Sequence, residues 1–465
     1  MDGFATTTPT TPSRSTTEHP AAAYFRALRS REFSRLARAR QAYLDYTGSG
    51  LYGSSQLEWH RDWLSERILG NPHSENPASL ATTAEVDRVT ERVFRFFNAD
   101  PAEYDLVFTA NASAAIKLVG EAFPFRDDSR FVLATDNHNS IGGIREYARR
   151  SGAEIRFLPL TPDLRLDDPM AHVGEAGAGP SLLAFPAQSN FSGVKHPLDL
   201  VAAGRERGFQ VFLDTAAYVP TNPLDLGAVG PDFACVSFYK MFGYPTGLGA
   251  LLARREALAI LERPWYAGGT VDFVSIQNDV HQLRNAGGAF EDGTPDFLGI
   301  AGVEPGLDLL EEVGMPRLRD WVAFLTELLL EGLQGLRRVD GKPGVAIYGP
   351  GTTDSRGATV AFNLLDGLGR PIPYETVEAA AGEAGVSIRG GCFCNPGAAE
   401  VAFDMPPRET LDCLERLGED FTLPRFRDCL GGKVPVGAVR ASLGIASSPR
   451  DIERLVEVLE ALLED

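Results

Sequence analysis

From about residue 45 to residue 300 the chain alternates short apolar runs with helix-like stretches, and this alternation limits its fold more than any other feature. Seven runs stand out: "YDLVFT" (104–109), "RFVLAT" (130–135), "EIRFLPL" (154–160), "SLLAFP" (181–186), "FQVFLD" (209–214), "FACVSF" (233–238) and "GALLAR" (249–254). Most are apolar nearly throughout, the pattern of strands buried on both faces, and turn residues separate them. Strands joined by helical segments pair in parallel. The chain is therefore read as α/β, with a mainly parallel seven-stranded sheet covered on both sides.

Past about residue 310 the texture changes. The stretch "MPRLRDWVAFLTELLLEGLQGL" (315–336) predicts a long helix. The final segment carries Ile452, Leu455, Val456, Leu459 and Leu463 on one apolar stripe. Residues 311–465 are read as a smaller C-terminal α/β domain following a large domain at 45–310, since 465 residues exceed one simple core. Ahead of both, 21–44 reads as helical, with Phe25, Leu28, Phe33 and Leu36 at helix-like spacing. The Thr/Ser/Pro-rich segment 1–20 reads as a disordered tail. A formal net charge of −19 argues against nucleic acid or an anionic membrane as partner. No apolar run has the length of a membrane span, and the N-terminus lacks the pattern of a secretory signal. The expected compartment is the cytoplasm.

In open α/β sheets, ligands bind beyond the carboxyl ends of the strands. After the first run comes "ANASAA", small residues at a helix start that can offer backbone N–H groups and the Ser113 hydroxyl to an anion. Further ends bring His138 in "DNHNS", Asn190 in "AQSNFSG", and Asp214 as the last residue of "FQVFLD". "FACVSF" leads into Tyr239 and Lys240. Lys240 is one of only five lysines and lies among apolar, aromatic and glycine residues. An ammonium is costly there unless something discharges or uses it; the bland alternative is a stem packed on the sheet with its head in water. A lysine, a carboxylate one strand earlier and an anion cradle form the set that pyridoxal phosphate requires. They supply an amine for its aldehyde, an acidic partner for its ring nitrogen and a seat for its phosphate.

The segments "SFYKMFGYPTGLGALLAR", "GNPHSEN" (70–76), "PAQSNFSGVKHPL" (186–198) and "RGGCFCNPGA" (389–398) together resemble class V aminotransferase-fold enzymes. Within these the likeness is to cysteine desulfurases, nearest to the desulfurase domain of molybdenum cofactor sulfurases, from about residue 42 to the end. The resemblance implies a pyridoxal-phosphate-dependent transferase of fold type I, working as a homodimer. It implies Lys240 as the lysine that binds the cofactor covalently and moves protons, Asp214 on the ring nitrogen and Asn190 on the ring hydroxyl. Ala112, Ser113 and Ser237 would hold the phosphate, joined by Thr270 from the neighbouring subunit. Arg440 would grip the substrate carboxylate. Members of the group carry an acidic residue directly followed by the ring-stacking histidine, whereas here Asp136 precedes Asn137 and then His138. A strict alignment places Asn137 over the ring; a small loop adjustment places His138 there, and His138 is the expectation. Tyr239 and Ala217 stand where many desulfurases have histidine and glutamine.

Five cysteines, an odd number, favour free thiols, and no zinc-like spacing accompanies Cys392 and Cys394, so no metal site is expected. The resemblance aligns Cys394 with the persulfide-forming cysteine of a loop expected to be mobile. It leaves Cys392 as a relay, while Arg389 is expected to support the thiolate and the substrate. Cys235 reads as a buried hydrophobe, and Cys413 and Cys429 have no catalytic company. The implied reaction takes sulfur from L-cysteine as an enzyme persulfide for an unnamed acceptor. The alternatives on the same fold are a β-lyase, an epimerase or an aminotransferase-like enzyme, for which a thiol nucleophile is superfluous, and a cofactor-free scaffold.

Overall fold

The structure is a computed structural model that describes residues 19–432 and 434–464. All seven apolar runs are strands: β1 Tyr104–Thr109, β2 Arg130–Ala134, β3 Glu154–Leu158, β4 Leu182–Pro186, β5 Gln210–Asp214, β6 Phe233–Ser237 and β7 Gly249–Arg254. They form one sheet in the order β1-β7-β6-β5-β4-β2-β3. Strands β2 to β6 pair in parallel, whereas β7 is antiparallel to both its neighbours, β1 and β6. The reason is the connection: only a short turn around Lys240 separates β6 from β7, too little chain for a parallel crossover. The reversal leaves β1 pointing the same way as β2 to β6, so six carboxyl ends share one edge. Leu183, Phe212 and Ala234 at strand centres are fully buried, as their apolar runs require. One face of the sheet packs on Ile116 and Val119 of helix Ala112–Ala122; the other joins a core that continues into the C-terminal region.

That region is built on a second sheet of β8 Val345–Tyr348, β9 Thr359–Leu364, β10 Arg389–Gly391 and β11 Ala438–Ser442, ordered β8-β9-β11-β10 and antiparallel throughout. The helix expected at 315–336 is Met315–Gly335, and Ile452, Leu455 and Leu459 of helix Pro449–Glu464 are buried. The N-terminal helical segment belongs to this C-terminal region. Its helices Ala22–Glu32 and Ser34–Arg38 break at Phe33, and Ala42–Tyr43 pair in parallel with Val386–Ser387. Phe25 stacks on Trp321 at 4.9 Å, and truncating it to alanine would cost about 3–5 kcal/mol as a buried aromatic. Residues 1–18 of the expected tail lie outside the described residues, while the His19 ring packs on Trp321 and Phe324 at 5.5 and 5.1 Å. Among the described residues, no helix is long and apolar enough to cross a membrane.

Candidate active site

Five of the shared strand ends open onto one cavity of about 200 Å3. Its wall carries Ala112 and Ser113 after β1, His138 after β2, Gln188 and Asn190 after β4, Asp214 and Ala217 at and after β5, and Ser237, Tyr239 and Lys240 at the end of β6. β1 gives way to a helix because Asn111 caps it, its Oδ1 accepting from the Ala114 N–H at 3.0 Å. The Ser237 Oγ accepts from the Ala112 N–H at 2.9 Å, joining the β6 end to that helix start. Gly249 permits this junction, since a Cβ there would lie 2.5 Å from the Val236 carbonyl oxygen and 2.7 Å from the Asn111 Cα. Ser113 and Ser140 share a hydroxyl contact of 2.6 Å. The result is a ring of N–H and O–H donors at a helix N-terminus, suited to an anion.

Lys240 lies in the short helix Phe238–Phe242 that starts where β6 stops. Among the described residues no hydrogen bond or ion pair engages its ammonium. Burial lowers its pKa, Asp214 opposes the shift, and the Arg440 charge adds to it. The amine is thereby brought nearer to its neutral, nucleophilic form. Asp214, nearly buried, accepts from the Ala216 N–H at 3.0 Å and from the Cys235 thiol at 3.4 Å. Burial pushes the Cys235 thiol well above its ordinary range, so it behaves as the small hydrophobe the sequence suggests.

Of the two candidates on the β2 turn, only His138 lines the cavity. Asn137 turns its side-chain N–H groups into the sheet, donating to the Ala134 and Ala184 carbonyls at 2.9 and 3.0 Å. The His138 Nδ1 accepts from the Ser140 N–H at 3.1 Å, which leaves the proton of the neutral ring on Nε2. Burial depresses the His138 pKa, and Lys240 and Arg440 depress it further against the pull of Asp214. Behind the turn, Asp136 Oδ2 meets His196 Nε2 at 2.8 Å, both fully buried, which fixes the segment from its far side.

The cysteine loop is tied by hydrogen bonds to the turns at the strand ends. The Asn139 N–H donates to the Cys394 carbonyl at 2.7 Å, and the Asn190 amide donates to the Phe393 carbonyl at 2.7 Å. Asn395 caps helix Pro396–Ala402 with its Oδ1 and donates from Nδ2 to both the Asp136 carbonyl (2.6 Å) and Asn190 Oδ1 (2.9 Å). Asn190 therefore binds the loop to the cavity wall as well as facing the cavity. Phe393 and Cys394 both have φ near +56°, a backbone that non-glycine residues adopt only when surroundings impose it. Cys394 is exposed. Cys392 is half-buried, its thiol donates to the Val436 carbonyl at 3.1 Å, and burial raises its pKa.

One expectation needs correction. Cys413 and Cys429 are not free: they form a disulfide with Cα atoms 6.0 Å apart, and three cysteines remain as thiols among the described residues. Periodicity could not reveal this, because the partners meet only when two short helices fold together. The Arg389 guanidinium is bonded to Asp45. Its Nη2 donates to Asp45 Oδ2 at 2.6 Å, and its Nε donates to both oxygens of Asp45 at 3.1 and 3.0 Å. Arg440 is 2% exposed, donates from Nη2 to Asp45 Oδ1 at 3.1 Å and from Nη1 to the Asn190 carbonyl at 2.9 Å, and stacks 4.6 Å over the Phe393 ring. Burial lowers its pKa to about 10. Thr270 is apart from this cavity, buried in its own turn with Oγ1 donating to the Ala267 carbonyl at 2.8 Å. Asp45, Gln188 and Asn395 escaped the sequence reading. The "NPG" of 395–397 carried a usable signal, a cap residue followed by proline at the first helical position. Asp45 carried none, since its partners are hundreds of residues away.

Residues 42–455 match the family model described as aminotransferase class-V. Curated relatives include a molybdenum cofactor sulfurase 2 of Aedes aegypti, 36% identical over 462 residues, covering 92% of this chain and 58% of that protein. The molybdenum cofactor sulfurase of Homo sapiens is 36% identical over 465 residues, covering 93% of this chain and 51% of that protein. The chain thus spans little more than half the length of these relatives. Among solved structures, an apo cysteine desulfurase from Thermococcus onnurineus NA1 superposes with a TM-score of 0.77 at 24% identity, over 94% of this chain and 98% of the other. A cysteine desulfurase from Escherichia coli gives 0.73 at 22% identity, over 95% and 98%. At those identities the likeness speaks for the fold: a type I pyridoxal-phosphate enzyme architecture. With a family model that runs through both sheets and the lysine-bearing turn, the chain belongs to the class-V aminotransferase family.

Proposed function

We propose that the protein is a pyridoxal-phosphate-dependent cysteine desulfurase that converts L-cysteine to L-alanine and retains the sulfur as a persulfide on Cys394. The observation that carries this reading is an exposed thiol, Cys394, on a loop tied through Asn190 to the wall of a cavity that holds an unpaired lysine, and through Asn139 to the turn that carries His138. A lyase or aminotransferase has no use for that thiol.

The donor set fits the cofactor. Lys240 offers an amine unencumbered by any partner, the Ala112–Ala122 helix start with Ser113 and Ser237 offers an anion seat, and Asp214 offers a carboxylate for the ring nitrogen. His138 offers a flat ring, and Asn190 a side chain for the ring hydroxyl. When bound, pyridoxal phosphate supplies a carbonyl for amines and a protonated ring that withdraws electrons from the substrate. Lys240, with its lowered pKa, takes and returns the proton of the substrate α-carbon. Arg440 holds the substrate carboxylate as a planar fork. Cys394 takes the substrate sulfur, and the balance is L-cysteine plus the Cys394 thiol giving L-alanine plus the Cys394 persulfide. Cys392, held protonated against Val436, is a poor nucleophile and stays outside this step.

The name of the relatives supports a sulfur acceptor connected with the molybdenum cofactor. A homodimer is supported by the exposed Phe273, Ile276 and Val280 around the hairpin that follows Thr270. A cytoplasmic setting is favoured because exposed Cys394 must stay reduced, although the Cys413–Cys429 bond is unusual there. The reading is tested by incubating the holoenzyme with L-cysteine and a reductant and measuring alanine. Wild type should form alanine, and Lys240→Ala should lose both alanine formation and the visible absorbance of the bound cofactor. Pyruvate and ammonia in place of alanine would move the reading to a β-lyase.

A further inference from the structure

One carboxylate, Asp45, is shared by two guanidinium groups. Arg389 grips it through three contacts of 2.6 to 3.1 Å, while Arg440 reaches it through a single Nη2 contact of 3.1 Å. The arrangement is built into the fold. Asp45 is fixed where the chain leaves Ala42–Tyr43 and bridges to Ser442, two residues beyond Arg440 on β11, while Arg389 pairs with Arg440 across β10 and β11. Gly48 leaves room for it, since a Cβ there would lie 2.5 Å from Asp45 Oδ2 and 2.6 Å from Arg389 Nη2. Asp45 is the one carboxylate bonded to both guanidinium groups, and the further carboxylate that acts on the pair, Glu378, lies on the Arg389 side. The Arg389 side chain is half exposed and the Arg440 side chain is 2% exposed, so an uncompensated charge costs most at Arg440. Among the described residues Arg440 Nε also has no hydrogen-bond acceptor.

We propose that Arg389 is a positioning residue that acts through Asp45: by engaging that carboxylate on three contacts it holds Asp45 to a single Nη2 contact with Arg440, and so leaves the rest of the Arg440 cation able to take a substrate carboxylate. This deepens the desulfurase reading and rests on it for the identity of the substrate. It differs from the sequence expectation, in which Arg389 touches the substrate itself. Without Arg389, Asp45 is free to close on Arg440 and compete with the incoming carboxylate. Without Asp45, the competitor is gone and the state of Arg389 no longer matters.

The test is a double-mutant cycle on the holoenzyme with two readouts: KM for L-cysteine from alanine formation, and the Kd of 3-mercaptopropionate by calorimetry. The second ligand has the carboxylate but no amine. Arg389→Gln should raise both constants about tenfold, the size expected when a charge-assisted contact is lost, with kcat changed less than threefold. In the Asp45→Asn background the same Arg389→Gln change should shift both by less than twofold. An equal rise in both backgrounds would show that Arg389 acts independently of Asp45 and would overturn the proposal. So would Arg389→Gln lowering kcat with KM unchanged. If wild type forms no alanine, the desulfurase reading falls, and the 3-mercaptopropionate cycle still decides whether Arg389 acts through Asp45.

Discussion

Cys392 and Cys394 lie on a loop whose backbone is bound by Asn139, Asn190 and Asn395, and neither sulfur is spent on holding the loop in place covalently. Further along the same region, Cys413 and Cys429 close a helical hairpin, Pro407–Leu417 and Leu423–Cys429, around a core of little more than Phe426 and Val436. The hairpin buries too little apolar surface to hold itself, with Leu411, Leu414, Phe421 and Leu423 left exposed, and a covalent staple supplies what packing lacks. The active loop has ample surroundings, Phe191, Ala398 and Phe403 among them, so hydrogen bonds and packing suffice and its thiols remain available. The same residue type thus stays a free thiol, as the proposed chemistry needs, where polar clamps fix the backbone, and serves architecture where they do not.

The sharpest way to break this comparison is at the two loop thiols. Cys394→Ser should reduce alanine formation by more than about a hundredfold, the scale for removing a nucleophile, while Cys392→Ser should leave it within about threefold. Equal losses would make the pair a unit. The clamp comes next. Asn395→Ala removes a helix cap and two hydrogen bonds and should lower the rate of alanine formation about tenfold, with the visible absorbance of the bound cofactor retained. In the hairpin the effect moves from chemistry to stability. Cys413→Ser should weaken the hairpin by about 3 kcal/mol, the value for a loop of this length, seen as faster amide exchange over residues 407–432 with alanine formation within about twofold. The smallest effect is one of selectivity. Because the Cys392 thiol is pushed above its ordinary pKa, iodoacetamide at pH 8 should label Cys394 first, and labelling of Cys392 should catch up only as the pH rises above 9. Peptide mass spectrometry reads the order, and preferential labelling of Cys392 would reverse the assignment.

Much of the fold was legible because it rests on local pattern. Runs such as "VFL" and "LLAF" are apolar because both faces of their strands are covered, so seven strands could be placed within a residue or two. The cavity wall was legible for a related reason, since Asp214, Ser237 and Lys240 all stand at strand ends that share one edge. What escaped was long-range. Asp45 meets Arg389 and Arg440 only after the N-terminal segment has joined the C-terminal sheet, and Cys413 meets Cys429 only after two short helices fold back. That His138 and not Asn137 lines the cavity turns on one residue of loop geometry and on two backbone carbonyls that no sequence pattern displays.

The central claim is that Cys394, clamped beside the lysine-bearing cavity, receives the sulfur. The most direct measurement is to mix the holoenzyme with L-cysteine, quench with an alkylating agent, and locate the added sulfur by peptide mass spectrometry. The account expects an additional sulfur on Cys394, absent in Lys240→Ala and accompanied by stoichiometric alanine. Additional sulfur on Cys392 alone, or alanine formed at the wild-type rate by Cys394→Ser, would contradict it.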